Sequence, residues 1–316
     1  MTSVARAAGP LPRAGDDRCD SLLVEPAFAD SALGRSLLEK PLGFIDIGAR
    51  GGVSAVVRPI AAATAVLAFE PDAEEAGRLR AAHAAAPAWN RFEVEAAAVA
   101  GSRGERDFFE LARPVNSSLL RPSEPFARRY QVPGFAIEKI SRCRTDTLDN
   151  VVFARDAAEP AFGEFIKLDA QGAELEILRG ADRLLADRTV AIVAEVSFCE
   201  LYEGQPLFGD VAAYLQTRGF SFYGFHASSH RASHLRHLVG SAGPSWSQRL
   251  LHADAVFFRD DAFGPVCGPA APRRRHALTC VALLLGHYDT AIELTADTAD
   301  GDGSPLAGLI ETLATR

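Results

Sequence analysis

The chain has 316 residues, enough for one large domain or two ordinary ones with an ample core. It is 48% hydrophobic and 23% charged with a formal net charge of −8, which excludes a nucleic-acid partner held by phosphate neutralisation. No window of about 18 apolar residues occurs, so no membrane span is expected, and five scattered cysteines without a signal-type leader predict reduced thiols in a cytoplasmic protein.

Residues 1–28 mix Pro, Gly, Ala and charge without period and are expected to form a loose tail ahead of a main domain at 29–260. Helical spacing begins at residues 31–39. From Gly43, strand-like runs alternate with helix-like ones: GFIDI, then residues 53–63; TAVLAFE, then residues 72–85; then RFEVEAAAV. Residues 101–156 differ, with GERDFFEL and AIEKISRCRTDTL reading as strands around NSSLLRPSEP, an insertion placed over the ligand. Alternation resumes with EFIKLD, a helix over 173–186, TVAIVAEV, a helix over 208–218, GFSFYGF and HADAVFFR. This order predicts an α/β fold, a doubly wound and mostly parallel sheet of seven strands with helices on both faces. Beyond residue 260, a Pro- and Gly-rich linker over 263–272 leads to two helices, 273–285 and 288–296, broken at Gly286. One helical pair cannot bury both of its faces alone, so it is expected to pack on the main domain or to join two copies as a homodimer.

In open parallel sheets, ligands collect at the carboxyl ends of the strands where the strand order reverses. The stretch FIDIGARGG, residues 44–52, puts Asp46 at the end of the first strand. Gly48, Gly51 and Gly52, around Ala49, then permit close backbone approach. Glu70, followed by Pro71, ends the second strand in LAFEP, where a carboxylate either accepts from a ribose diol or is a plain strand-end acid. After the third strand, Ala97 and Ala98 offer an adenine only their backbone. A dinucleotide would set its pyrophosphate against this loop, where Asp46 opposes it by roughly 3 kcal/mol at about 5 Å and an effective dielectric near 20. The ammonium and sulfonium of S-adenosylmethionine are favoured by the same acid, and GARGG lacks the GxGxxG spacing. S-adenosyl-L-methionine is therefore the expected cofactor. An NAD-dependent dehydrogenase and an inactive, partner-binding module are the alternatives.

Asp169 ends a further strand in FIKLDAQGAELEILRGA. With FIDIGARGG, LAFEPD, NSSLL, RTDTLDN and EVSFCELYEGQPLF in the same order, this chain resembles FkbM-type methyltransferases over roughly residues 43–259. The resemblance implies a class I, Rossmann-like O-methyltransferase using S-adenosylmethionine on a hydroxyl of a sugar, glycan or polyketide-like product. It carries Asp46, Gly48 and Gly52 onto the cofactor loop, Glu70 onto the ribose acid and Asp169 onto the acid after the fourth strand. Two departures stand out: Arg50 replaces an Asn common in the family, and AAAVAGS lacks an acidic side chain for the adenine amino group.

Methyl transfer to an alcohol needs in-line positioning and a group that takes the hydroxyl proton as attack develops. Asp169 is the candidate base or substrate orienter, though it could also cap the following helix. Glu195, ending TVAIVAE, is the alternative, and His226 at a strand end is a third. His226, His230, His234 and His237 have spacing that one helix face could use for metal, but the Ser-rich context reads better as a solvated loop, and no metal is expected. Asn116, Ser117 and Ser118 could bond a polar acceptor, and Arg128, Arg129 and Tyr130 could contact an anionic substrate, although exposed arginines read better as a solvated face.

Overall fold

The computed structural model describes residues 19–130, 132, 134–155, 161–230, 249–260, 271–296 and 298–315. Its strands are β1 (Leu42–Ile47), β2 (Thr64–Phe69), β3 (Arg91–Glu95), β4 (Ala98–Val99) and β5 (Gly104–Leu111). There follow β6 (Ile137–Asp146), β7 (Phe165–Leu168), β8 (Ala191–Ser197), β9 (Phe220–His230) and β10 (Leu250–Arg259). Seven form one sheet in the order β3-β2-β1-β7-β8-β10-β9, parallel throughout except for β10, which is antiparallel to both its neighbours. This is the expected doubly wound sheet, and its strand order reverses between β1 and β7.

β1 and β2 are buried at every position, as central parallel strands covered on both faces must be. Phe44 joins the apolar cluster on one face, while Ile45 and Ile47 join that on the other. Alternation therefore turns Asp46 toward the Phe44 side. That side is covered by α1 (Pro26–Ala29), α2 (Ala32–Glu39), α3 (Ala73–Ala85) and the 3-10 helix Ala55–Ala63, together with the C-terminal helices. The opposite face carries α5 (Leu148–Arg155), α6 (Glu174–Arg179), α7 (Asp182–Asp187) and α8 (Phe208–Gln216). Between them in sequence, α4 (Glu124–Tyr130) packs Phe126 and Tyr130 into a small core that the insertion shares with Leu201, Tyr202 and Leu251.

Several boundaries differ from the sequence reading, each for a local reason. The helix expected over 173–186 breaks into α6 and α7 at Gly180, where an added β-carbon would meet the Ala100 carbonyl oxygen at 2.8 Å. The strand expected through 91–99 divides because β4 leaves the main sheet and pairs with β6 in a three-stranded sheet, β4-β6-β5. Pro59 lies inside the segment read as a helix over 53–63, which becomes a kinked 3-10 helix with Ile60 out of helical geometry. Residues 1–18 of the expected tail lie outside the described residues, but from residue 19 the chain is engaged. The Asp20 and Leu22 N–H groups donate to Arg58 and Pro59 carbonyls, and Phe28 is fully buried.

The C-terminal segment contains three helices rather than two: α9 (Ala271–Leu285), α10 (Tyr288–Thr295) and α11 (Pro305–Ala314). Ala277, Leu278, Val281, Leu294 and Ile310 share one buried cluster with Phe44 and Val66, so their apolar faces complete the sheet's cover. Two polar staples fix this packing. Glu164, 4% exposed, accepts from the Gly43 N–H at 2.9 Å and from Arg273 Nη2 at 2.6 Å. Asp300 accepts from the Ala32 and Leu33 N–H groups at 2.9 and 2.8 Å, capping α2 from the far end of the chain. Among the described residues, no helix is long and apolar enough to cross a membrane.

Candidate active site

A cleft with about 140 Å³ of water-accessible interior lies at the carboxyl ends of β1, β2 and β7. Gly48, Glu70, Pro71, Ala97, Ala98 and Asp169 line it, joined by Arg50, Val99 and Gln171. The insertion supplies Phe108, Val115, Ser118 and Leu119 as the opposite wall. Four residues expected at the cofactor, Asp46, Ala49, Gly51 and Gly52, do not line the cleft. The N–H groups of Gly48 and Ala49 are used by the Phe69 carbonyl, and that of Gly51 by Glu75 Oε1 at 3.0 Å. Gly48 has φ +84°, and a β-carbon there would lie 2.2 Å from the Asp169 carbonyl oxygen, so no other residue fits.

Glu70 is 3% exposed and accepts from the Asp72 N–H at 2.9 Å. Arg50 Nη2 stands 2.7 Å from Asp72 and 3.5 Å from Glu70. Burial pushes the Glu70 carboxyl up, with the Asp72 N–H and Arg50 opposing it. The arginine that departs from the family pattern thus bridges two acids at the cleft mouth.

Asp46 is 1% exposed; its Oδ2 accepts from the Ser54 N–H at 2.7 Å, and among the described residues its Oδ1 has no hydrogen-bond partner. The cation facing it is Lys167, whose Nζ stands 4.0 Å from Asp46 Oδ1 and 3.5 Å from Asp169 Oδ2. Burial raises the Asp46 pKa against the pull of Lys167. Burial also works against the Lys167 ammonium, but Asp169, Asp46, Asp254 and Glu195 together outweigh it and raise that pKa. One cation among several acids is strongly held, while each acid receives only part of its charge.

The turn after β7 organises the remaining groups. Glu174 is buried, and its Oε1 accepts from the N–H groups of Ala170 at 2.8 Å and Gly172 at 3.2 Å. Burial pushes its carboxyl up to about 8. Within this clamp Gln171 adopts φ +53°. Its Nε2 donates to Asp169 Oδ1 at 2.7 Å and to Glu195 Oε2 at 2.9 Å. The Tyr202 hydroxyl reaches Gln171 Oε1 at 2.7 Å and the Asn116 carbonyl at 2.8 Å, and Ser118 donates to the Gln171 carbonyl at 2.7 Å. Burial pushes the Tyr202 phenol well up, keeping it a donor. On the far side, His252 Nδ1 lies 3.0 Å from Glu195 Oε1. Burial and the charge of Asp169 raise the Glu195 pKa, with His252 opposing.

Asp169 and Glu195 are therefore brought together, whereas His226 is set apart. It is partly buried in β9 and does not line the cleft, and burial lowers its pKa against the charge of Asp254. Residues 234 and 237 of the histidine series lie outside the described residues, as does the side chain at 230. Among the described residues no group of three or more His, Cys, Asp or Glu could hold a metal ion. Ser117 lines the cleft while its hydroxyl accepts from the Leu111 N–H, whereas Arg128 is exposed, paired with Glu124 and does not line it.

Sequence reasoning passed over Lys167, Gln171, Tyr202, His252 and Asp254. Lys167 carried a signal, because two-residue alternation puts it on the same side of its strand as Asp169. His252 and Asp254 are related in the same way in β10, but nothing in their own stretch connects them to Glu195.

No curated protein matches the chain. Among solved structures, it is similar to a methyltransferase FkbM from Methylobacillus flagellatus KT at 15% identity and a TM-score of 0.40, covering 69% of this chain and 43% of that one. The chain thus spans less than half of that protein's length. A magnesium protoporphyrin IX methyltransferase from Synechocystis PCC 6803, solved with bound SAM, is similar at 10% identity and a TM-score of 0.32, covering 73% of this chain and 77% of that one. A precorrin-6y C5,15-methyltransferase from Geobacter metallireducens GS-15 is similar at 12% identity and a TM-score of 0.34, with 79% and 100% covered. The family model of the methyltransferase FkbM domain matches residues 46–222, more than half of the sequence. The chain belongs to the FkbM methyltransferase family.

Proposed function

We propose that the protein transfers a methyl group from S-adenosylmethionine to a hydroxyl of a sugar, glycan or polyketide-like product. The observation that carries this reading is one cleft in which Gly48, Glu70, residues 97–99 and Asp169 meet. These residues fit the donor. Glu70 offers carboxylate oxygens to a ribose diol, and residues 97–99 offer an apolar bed with backbone polar groups to an adenine. Gly48 lets the backbone approach, and the acid at 169 favours a cation. When bound, the donor supplies an electrophilic methyl group on a sulfonium.

Asp169 takes the proton of the acceptor hydroxyl, or orients that hydroxyl for in-line attack. Glu195, one amide away through Gln171, is the second candidate for that proton, and His226 the third. The insertion side chains Val115 and Leu119 give the cleft an apolar wall. A cytoplasmic location and pairing of copies through the C-terminal helices belong to the same proposal. Membership of a methyltransferase family leaves the nicotinamide alternative without support.

Incubation with methyl-labelled donor and a panel of sugars, nucleotide sugars and hydroxylated macrocycles tests the reading. Label is expected in a hydroxylated acceptor. In Asp169→Asn the rate is expected to fall by about 10² to 10⁴, the contribution of a positioned base, while donor binding survives. Transfer at the wild-type rate in that variant would remove Asp169 from the mechanism.

A further inference from the structure

We infer that Gln171 is a positioning residue that sets the orientation and ionisation of the Asp169–Glu195 carboxylate pair. This rests on the reading of Asp169 as the group that receives the acceptor's proton. A side-chain amide has two N–H donors and one carbonyl acceptor. Both donors of Gln171 go to carboxylates on different strands' ends, at 2.7 and 2.9 Å. Its carbonyl faces the Tyr202 hydroxyl at 2.7 Å. Reversing the amide would set that carbonyl against two acids, so the orientation is determined. The single Tyr202 hydrogen is then shared between Gln171 Oε1 and the Asn116 carbonyl.

The backbone shows the same commitment. Gln171 is held at φ +53°, a left-handed conformation uncommon for a side chain of this type, by the Glu174 clamp and by Ser118. An amide that donates to two acids favours their ionised forms and offsets their mutual repulsion. Asn116 and Ser118 belong to the insertion that walls the cleft, so Gln171 ties the carboxylate pair to that wall, through Tyr202 to the Asn116 carbonyl and through its own backbone carbonyl to Ser118. The other titratable groups facing the pair are Lys167 on β7, Asp46 on β1, Glu174 on α6, Tyr202, and His252 and Asp254 on β10.

The test compares Gln171→Leu, Gln171→Asn and Gln171→Glu. Asn tolerates the left-handed conformation but is too short to span both acids, so it guards against a simple folding defect. In Leu and Asn variants, kcat is expected to fall about 10- to 100-fold, the worth of a hydrogen bond to a charged group, with donor affinity unchanged. The acid limb of the pH–rate profile is expected to move up by about one unit, and further in Gln171→Glu, where a third acid adjoins the pair. A merely structural role would lower the melting temperature and leave that limb in place, and this result would overturn the inference. Carbon-13 titration of Asp and Glu carboxyls separates the two claims. If no acceptor is methylated but the carboxyl titration shifts in the variants, the proposed activity fails and the positioning role stands. An unshifted carboxyl titration overturns the positioning role whatever the turnover.

Discussion

A β-carbon on Gly48 would lie 2.2 Å from the carbonyl oxygen of Asp169, so the ends of β1 and β7 meet only because position 48 is glycine. That contact joins the cofactor loop to the candidate base. Gly48→Ala adds a clash to a left-handed φ, and is expected to cost about 2–4 kcal/mol of stability and to weaken donor binding. Gly51 has nearly the same φ, +83°, but open space where a β-carbon would stand. Gly51→Ala is therefore expected to cost only about 1–2 kcal/mol, the conformational part alone. Urea unfolding of the two variants checks the difference.

Glu174 links stability to pH. Its folded pKa of about 8 lies above the ordinary 4.5, so the folded state holds this proton more tightly than the unfolded chain does. The stability from this group is complete at pH below the ordinary value and is lost as pH rises through about 8. Glu174→Gln keeps an acceptor for the Ala170 and Gly172 N–H groups and removes the proton. Its stability is expected to fall less than that of the wild type between about pH 5 and about pH 9, by a difference on the order of a few kcal/mol. Asp46, Glu70, Glu195 and Asp254 are also raised, chiefly by burial, and act in the same direction in both proteins. The difference between the two urea midpoint profiles therefore reads Glu174 together with its interaction with Glu195.

Arg273 on α9 holds the buried Glu164 at the lower rim of the sheet, with Arg188 farther off at 4.0 Å. Arg273→Ala leaves that carboxylate without its main partner and is expected to cost about 3–5 kcal/mol. The double variant Glu164→Gln, Arg273→Met removes both charges and is expected to lose less than the single one. Because α9 shares its core with β1 and β2, unfolding should remain one transition. A separate early loss of the C-terminal helices would mean that they are an independent attachment.

Much of the architecture was legible in the sequence. The central strands are apolar runs ending in an acid and punctuated by glycine, and a parallel sheet imposes that pattern directly. The break at Gly180 was not legible, since Leu178, Ala181, Leu184 and Leu185 carry helical spacing across it. The cause is a segment distant in sequence, the Ala100 carbonyl. In the site, Glu70 and Asp169 could be placed because strand ends converge where the order reverses. Asp46 also ends a strand, but residue parity turns it toward Ser54 and Lys167, and it does not line the cleft. Gln171, Tyr202 and His252 acquire their roles only from partners brought in by the tertiary fold. The Tyr202 contact with Asn116 spans 86 residues.

The central claim is that the cleft holds a positively charged methyl donor, and calorimetric titration tests it most directly. S-adenosylmethionine and its demethylated product are expected to saturate one site on the wild-type chain, to bind weakly to Glu70→Ala, and to outcompete NAD completely. Binding of NAD with neither of the other two, or binding of none of the three, would contradict that claim.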